Sequence, residues 1–173
     1  MTDPRRDRPL ERRYYRWELE RRFVLPALPT AVDSTSFHRL RDLFVAGSGL
    51  RVRIVESPDG TPIVVKLGQK RPDPAAPDDP RRRRLTTIYL TPLEAEPLLA
   101  LPGRRSVKRR FHLAEQGRTW AVDVWEAPAA RRGLVLAEVE CDSDAELAAI
   151  RPPAWAGEEV TARPEFSAFE LSE

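Results

Sequence analysis

Charged and apolar residues alternate along much of this chain with a period of two, which puts successive strand side chains on opposite faces. Over 15–24, Glu18, Glu20 and Arg22 share one face and Trp17, Leu19 and Phe23 the other, so this stretch predicts a strand. Over 50–56, Leu50, Val52 and Ile54 oppose Arg51, Arg53 and Val55. Ser57-Pro58-Asp59-Gly60 is a hairpin turn signal, and a return strand is expected over 61–67. Further strands are expected over 81–90, 106–114, 119–126 and 134–141, with Gln116-Gly117 turning the chain between two of them. The second half of 38–46 alternates in the same way, up to the turn at Gly47-Ser48-Gly49.

Two segments break the strand rhythm. Thr91-Pro92-Leu93-Glu94 combines an N-cap, a first-turn proline and a capping-box glutamate, which predicts a helix to about residue 101. A second helix is expected over 142–150, capped by Asp142 or Ser143 and stopped by Pro152-Pro153. Pro26 and Pro29 end the first strand, and 30–36 is a loop. The four prolines and mixed charges of 68–80 predict a long flexible connection. Residues 161–171 form a short closing segment, helical around 166–171. The arm over 1–13 is rich in Arg, Asp and Pro and is expected to be disordered, leaving one domain over 14–173.

Composition adds limits rather than a function. The chain of 173 residues is 41% hydrophobic and 32% charged, as in a soluble globular domain. A formal net charge of +2 gives no global basic field, so a nucleic-acid partner is not expected. Arginines outnumber lysines 26 to 3, which a GC-rich coding sequence alone would explain, although Arg is also the better bidentate phosphate ligand. The single cysteine, Cys141, rules out an internal disulfide framework. No apolar run has the length of a membrane span, and the N-terminus lacks a signal-type apolar region, so a cytoplasmic location is the default. A homodimer is left open.

The candidate chemistry lies in same-face charge pairs on four separate strands: Glu18/Glu20 with Arg22, Arg51/Arg53, Lys108/Arg110 and Glu138/Glu140. Lys66 and Asp123 add single charges on two more. A solvated outer face accounts for any one pair, but each pair is wholly acidic or wholly basic. Like charges at neighbouring positions repel unless something of opposite sign lies between them. A metal suits the acids and a polyanion the bases. The architecture that satisfies both is a closed or nearly closed antiparallel barrel with a polar lumen, its outward apolar faces covered by the two helices. Carboxylate oxygens favour Mg²⁺ or Mn²⁺.

These residues resemble the CYTH superfamily, the triphosphate tunnel metalloenzymes. Glu18-Leu19-Glu20-Arg21-Arg22-Phe23 is similar to the ExExK signature of that superfamily. The likeness continues through Arg51-Val52-Arg53, Lys66, Lys108-Arg109-Arg110, Asp123-Val124-Trp125 and Leu136-Ala137-Glu138-Val139-Glu140. It is closest over 152–161, which resembles the PxWxGxEVT segment of short bacterial members. The resemblance implies an α+β fold: a tunnel of about eight antiparallel strands with a few helices outside. It implies Glu18, Glu20 and Arg22 as catalytic residues, and Glu18, Glu20, Glu138 and Glu140 as ligands of Mg²⁺ or Mn²⁺. Arg22, Arg51, Arg53, Lys66, Lys108 and Arg110 would bind phosphate, and Asp123, Arg84 and Arg163 would line the tunnel. The partner would be a triphosphate-containing small molecule.

Three departures from the family pattern bear on function. Arg22 replaces the signature lysine. The strand that usually carries two alternating glutamates is here Arg84-Leu85-Thr86-Thr87-Ile88-Tyr89, without an acid. After Thr161, where the family usually carries basic residues, only Arg163 is basic before Pro164-Glu165-Phe166. The first expectation is metal-dependent hydrolysis of inorganic, nucleoside or thiamine triphosphate. The alternative is a weak or inactive tunnel that binds triphosphate, polyphosphate or a nucleotide as a sensor or regulator. Cyclisation of ATP ranks third.

Overall fold

A computed structural model describes residues 14–173, and the arm over 1–13 lies outside the described residues. Among the described residues there are eight strands: β1 (Arg16–Leu25), β2 (His38–Val45), β3 (Leu50–Glu56), β4 (Pro62–Pro72), β5 (Arg82–Leu90), β6 (Gly103–Glu115), β7 (Arg118–Ala127) and β8 (Val135–Cys141). Two helices accompany them, α1 (Pro92–Leu99) and α2 (Asp144–Ala149). All neighbouring strands are antiparallel, and the sheet closes on itself in the order β1-β5-β4-β3-β2-β6-β7-β8. This is the α+β closed barrel that the alternation predicts. Closure removes the open edges that a sheet of this size would otherwise expose.

Alternation dictates where the core forms. The apolar faces of β1, β6, β7 and β8 point out of the barrel and build the largest cluster, with Phe23, Phe111, Trp120, Val122 and Val139 fully buried. Leu147 and Ile150, from α2 and its end, cap this cluster. A second cluster joins Leu43, Val52 and Val65 to Ala95 of α1. Thr91 caps α1 with the expected capping box, accepting from the Glu94 backbone while Glu94 reaches back to Thr91.

A third cluster lies inside one end of the barrel. Trp125 and Leu136 face inward there and pack on Val160, Phe166 and Leu171 from the C-terminal segment. That segment follows a strap along β1. Val24 N–H donates to the Glu158 carbonyl at 2.9 Å, and Val160 N–H donates to the Arg22 carbonyl at 2.8 Å. Trp155 stacks edge-on against Trp120 with ring centres 5.2 Å apart. Gly157 lies so close to β1 that a Cβ there would stand 2.2 Å from the Val24 carbonyl oxygen, so the glycine permits the contact.

Several boundaries differ from expectation. β4 does not stop at Leu67. It continues through Gly68 to Pro72, so the connection to β5 is shorter and Lys70 belongs to a strand. Gly68 is paired with Arg51 of β3 and Thr87 of β5, so the ladder runs through it without a break. β6 starts earlier, at Gly103, where a Cβ would meet the Phe44 carbonyl oxygen at 2.1 Å. α2 covers only Asp144–Ala149, with Ser143 as its cap. The closing segment is a single 3-10 turn (Pro164–Phe166) followed by turns instead of the expected helix over 166–171, because its apolar residues serve as a plug and not as one face of a helix.

Candidate functional site

The inward faces of the barrel enclose a cavity of about 1020 Å³. Ten basic and five acidic side chains line it, an excess of positive charge that favours a polyanion. The acids gather because β1 pairs with β8. Glu20 stands directly opposite Glu140, and Arg22 opposite Glu138. Two carboxylates facing each other across a strand pair are unfavourable unless a cation joins them. One oxygen each from Glu18, Glu20 and Glu140 lies within 4.8 Å of the others. Glu18 and Glu20 are buried, while Glu140 is exposed and approached by Arg16 at 3.6 Å.

Glu138 stands apart from that trio. It accepts from Arg22 Nε at 3.0 Å and from Arg110 at 2.8 Å. Burial pushes the Glu138 carboxyl up, but Arg22 and Arg110 outweigh burial and hold it well below the usual carboxylate range. Arg22 donates its other arm to Glu20 at 2.6 Å. The guanidinium therefore spans both acidic strands, a bridge that a lysine in its place would make with one point charge.

The basic wall comes from β3, β4 and β6. Arg53 forks onto both oxygens of Asp42 at 2.6 and 2.7 Å, and Arg51 lies 3.9 Å from the same carboxylate. Burial raises the Asp42 carboxyl, yet Arg53 and then Arg51 drive it far below its ordinary value. Arg110 forks onto Asp123 at 2.7 Å on each arm, and Lys108 ion-pairs with the same residue. Burial lowers the Lys108 ammonium, partly offset by Asp123. Lys66 has no carboxylate within 4 Å among the described residues, and burial together with Arg53 and Arg51 lowers its ammonium. Lys66 and Arg51 are thus the wall cations least committed to the chain's own acids.

The structure brings Glu18, Glu20, Arg22, Arg51, Arg53, Lys66, Lys108, Arg110, Glu138, Glu140 and Arg163 to the cavity wall. Two expected tunnel residues are placed differently. Asp123, 1% exposed, lies beneath Lys108 and Arg110 rather than on the wall. Arg84 points outward and stacks over Tyr15 at 5.3 Å, while Arg83 lines the cavity. The four consecutive arginines at 81–84 carry no alternation, and a one-residue slip exchanges the faces. On β5 the inward positions are Arg83, Leu85, Thr87 and Tyr89, so that strand contributes no carboxylate to the lumen.

Asp42 and Lys70 are site residues that the sequence reading did not single out. Asp42 shares a strand face with Leu40 and Phe44, and a lone acid between two apolar residues of one face is the signal that marks it. Lys70 continues the Val64–Lys66–Gly68 series once Gly68 is read as strand. Its ammonium ion-pairs with Glu18 and lies 3.6 Å from Glu20.

The fold and its lumen define an eight-stranded antiparallel tunnel with an acidic patch facing a basic wall. No protein-family model matches the sequence. No curated protein matches it. Solved structures do. Two structures of NE1496, one described as a hypothetical protein and one as an inorganic triphosphatase, are 24% identical with TM-scores of 0.57. The alignments cover 90% of this chain and 97% and 93% of those chains. The Bacillus halodurans protein bh2851, described as a "putative adenylate cyclase", is 14% identical with a TM-score of 0.51, covering 76% of this chain and 83% of that one. These likenesses show a shared fold.

Proposed function

We propose that this tunnel binds a triphosphate-bearing small molecule and hydrolyses it with the help of Mg²⁺ or Mn²⁺. The observation that carries this reading is the Glu18–Glu20–Glu140 cluster facing Arg51, Arg53 and Lys66 within one cavity. The donors fit such an ion: hard carboxylate oxygens from two adjacent strands, close enough to share one cation, with Glu20 and Glu140 opposed as like charges. Glu18, Glu20 and Glu140 would hold it, with Glu138 held back by its two arginines. When bound, a divalent ion neutralises phosphate charge and acidifies a bound water.

The chain's own residues supply positioning and charge. Arg51, Arg53 and Lys66 grip the phosphates from β3 and β4, and Lys108 and Arg110 from β6. Asp42 and Asp123 hold Arg53 and Arg110 rigid, so these guanidiniums lose little freedom when a phosphate arrives. Arg22 fixes Glu20 and stands ready for charge that develops on the transferred phosphoryl group. Likeness of fold to NE1496, described as an inorganic triphosphatase, supports the same reading. Among the described residues no helix is long and apolar enough to cross a membrane.

A second reading, capture of a polyanion without turnover, is favoured by the acid-free lumen face of β5. Phosphate release from inorganic triphosphate and from ATP, in Mg²⁺ and in Mn²⁺, separates the two when run beside calorimetric binding. Release that disappears in Glu20→Gln establishes the hydrolase. Tight binding with no release in either metal establishes the receptor.

A further inference from the structure

Lys70 reaches from β4 onto the carboxylates of β1. Its ammonium ion-pairs with Oε2 of Glu18 and lies 3.6 Å from Oε2 of Glu20. These are two of the three carboxylates whose oxygens converge within 4.8 Å. Glu18 is 5% exposed, so this ion pair is buried on the carboxylate side. The ammonium thus sits on carboxylate oxygens of the kind that a hard divalent cation also seeks.

The surroundings leave little room for two cations. Arg22 already holds Oε1 of Glu20 at 2.6 Å. Lys70 is paired in register with Leu85 of β5, whose inward face offers no additional carboxylate to dilute the charge. An ammonium and a divalent ion a few ångströms apart repel each other strongly in such a partly buried site. The lysine side chain is itself one-third exposed, on a flexible four-carbon stem, with Lys66 on the same strand face.

We propose that Lys70 is a built-in cation occupying the divalent-metal position between Glu18 and Glu20, so that a metal enters by displacing the ammonium. The displaced ammonium moves to the phosphate side, beside Lys66. The inference rests on the metal-and-triphosphate reading for the identity of the competing ion, but it concerns binding and not turnover.

The test is Mn²⁺ binding to the substrate-free protein, read by calorimetry and by loss of the free-ion electron paramagnetic resonance signal. Wild type is compared with Lys70→Met, which keeps the stem and removes the charge, and with Lys70→Arg, which keeps the charge. Lys70→Met should bind Mn²⁺ roughly tenfold tighter or more, while Lys70→Arg stays within about twofold of wild type. If Lys70→Met does not fold, Lys70→Gln gives the same reading. Mn²⁺ binding that is unchanged or weaker without the charge overturns the proposal, as does the absence of binding in every form. Hydrolysis is not measured here, so a tunnel without turnover can still satisfy the test, and an active hydrolase can still fail it.

Discussion

Arg22 of β1 and Glu138 of β8 are directly opposed in the barrel wall and bond through Nε and Oε1 at 3.0 Å. Arg110 takes the other oxygen of the same carboxylate at 2.8 Å. Glu138 is therefore a brace for two guanidiniums. Removing its charge with Glu138→Gln should let both side chains drift and lower kcat/KM for triphosphate by about 100-fold, while Mn²⁺ binding stays near wild type. Steady-state kinetics beside calorimetry check this. A large loss of Mn²⁺ affinity would instead make Glu138 a metal ligand.

Asp42 is the counter-charge beneath the basic wall. In Asp42→Asn, Arg53 stays buried without its carboxylate, and Arg51 loses its nearest acid. The expected cost is about 3 kcal/mol of stability, seen as a lower midpoint in urea unfolding. Polyphosphate binding should restore much of that loss by supplying the missing negative charge.

Both Asp42 and Glu138 have carboxyls lowered by their arginines against burial. A group lowered in the folded state contributes stability that is present above its unfolded value and is lost as pH falls toward the folded one. Stability should thus stay level down to the ordinary values of 4.5 for Glu138 and 3.8 for Asp42, then decline steadily below them. Urea midpoints measured across that range test the slope.

Lys66 gives the opposite limb, for binding. Its ammonium is lowered from 10.5 by burial and by Arg53 and Arg51. Triphosphate affinity should begin to fall at a pH below 10.5, and Lys66→Arg should move that fall to higher pH. Calorimetric titrations at alkaline pH, with and without the substitution, distinguish Lys66 from the arginines.

The strap along β1 depends on Gly157. A methyl group placed 2.2 Å from the Val24 carbonyl oxygen forces the backbones apart, so Gly157→Ala should destabilise by about 2 kcal/mol or more. Thermal unfolding reads this directly.

Legibility followed the alternation of charge. The functional stretches of β1, β3 and β8 carry charged and apolar residues largely in turn, so their inward acids and bases follow from the sequence. β5 begins in an unbroken run of arginines with no phase, and the reading that placed Arg84 in the lumen differs from the structure by one residue. Lys70 was hidden because Gly68 reads locally as a break, while the sheet pairs it with both β3 and β5 and carries β4 on to Pro72. The separation of Glu138 from the other acids is not local at all. It follows from which arginines of β1 and β6 surround β8 once the barrel closes.

The barrel is joined unevenly. β1 and β8 are in register over seven residue pairs, but β1 and β5 over only four, Arg16–Leu19 against Arg82–Leu85. On the outside this short weld is stitched by Arg82 stacked over Trp17 at 4.2 Å and by Arg84 over Tyr15. On the inside, β1 presents carboxylates, while β4, the strand beyond β5, presents Lys66 and Lys70. A cation and its polyanion would lie across the weld like a clasp across a hoop, so the filled molecule should resist being sprung open at the place where the empty one gives first.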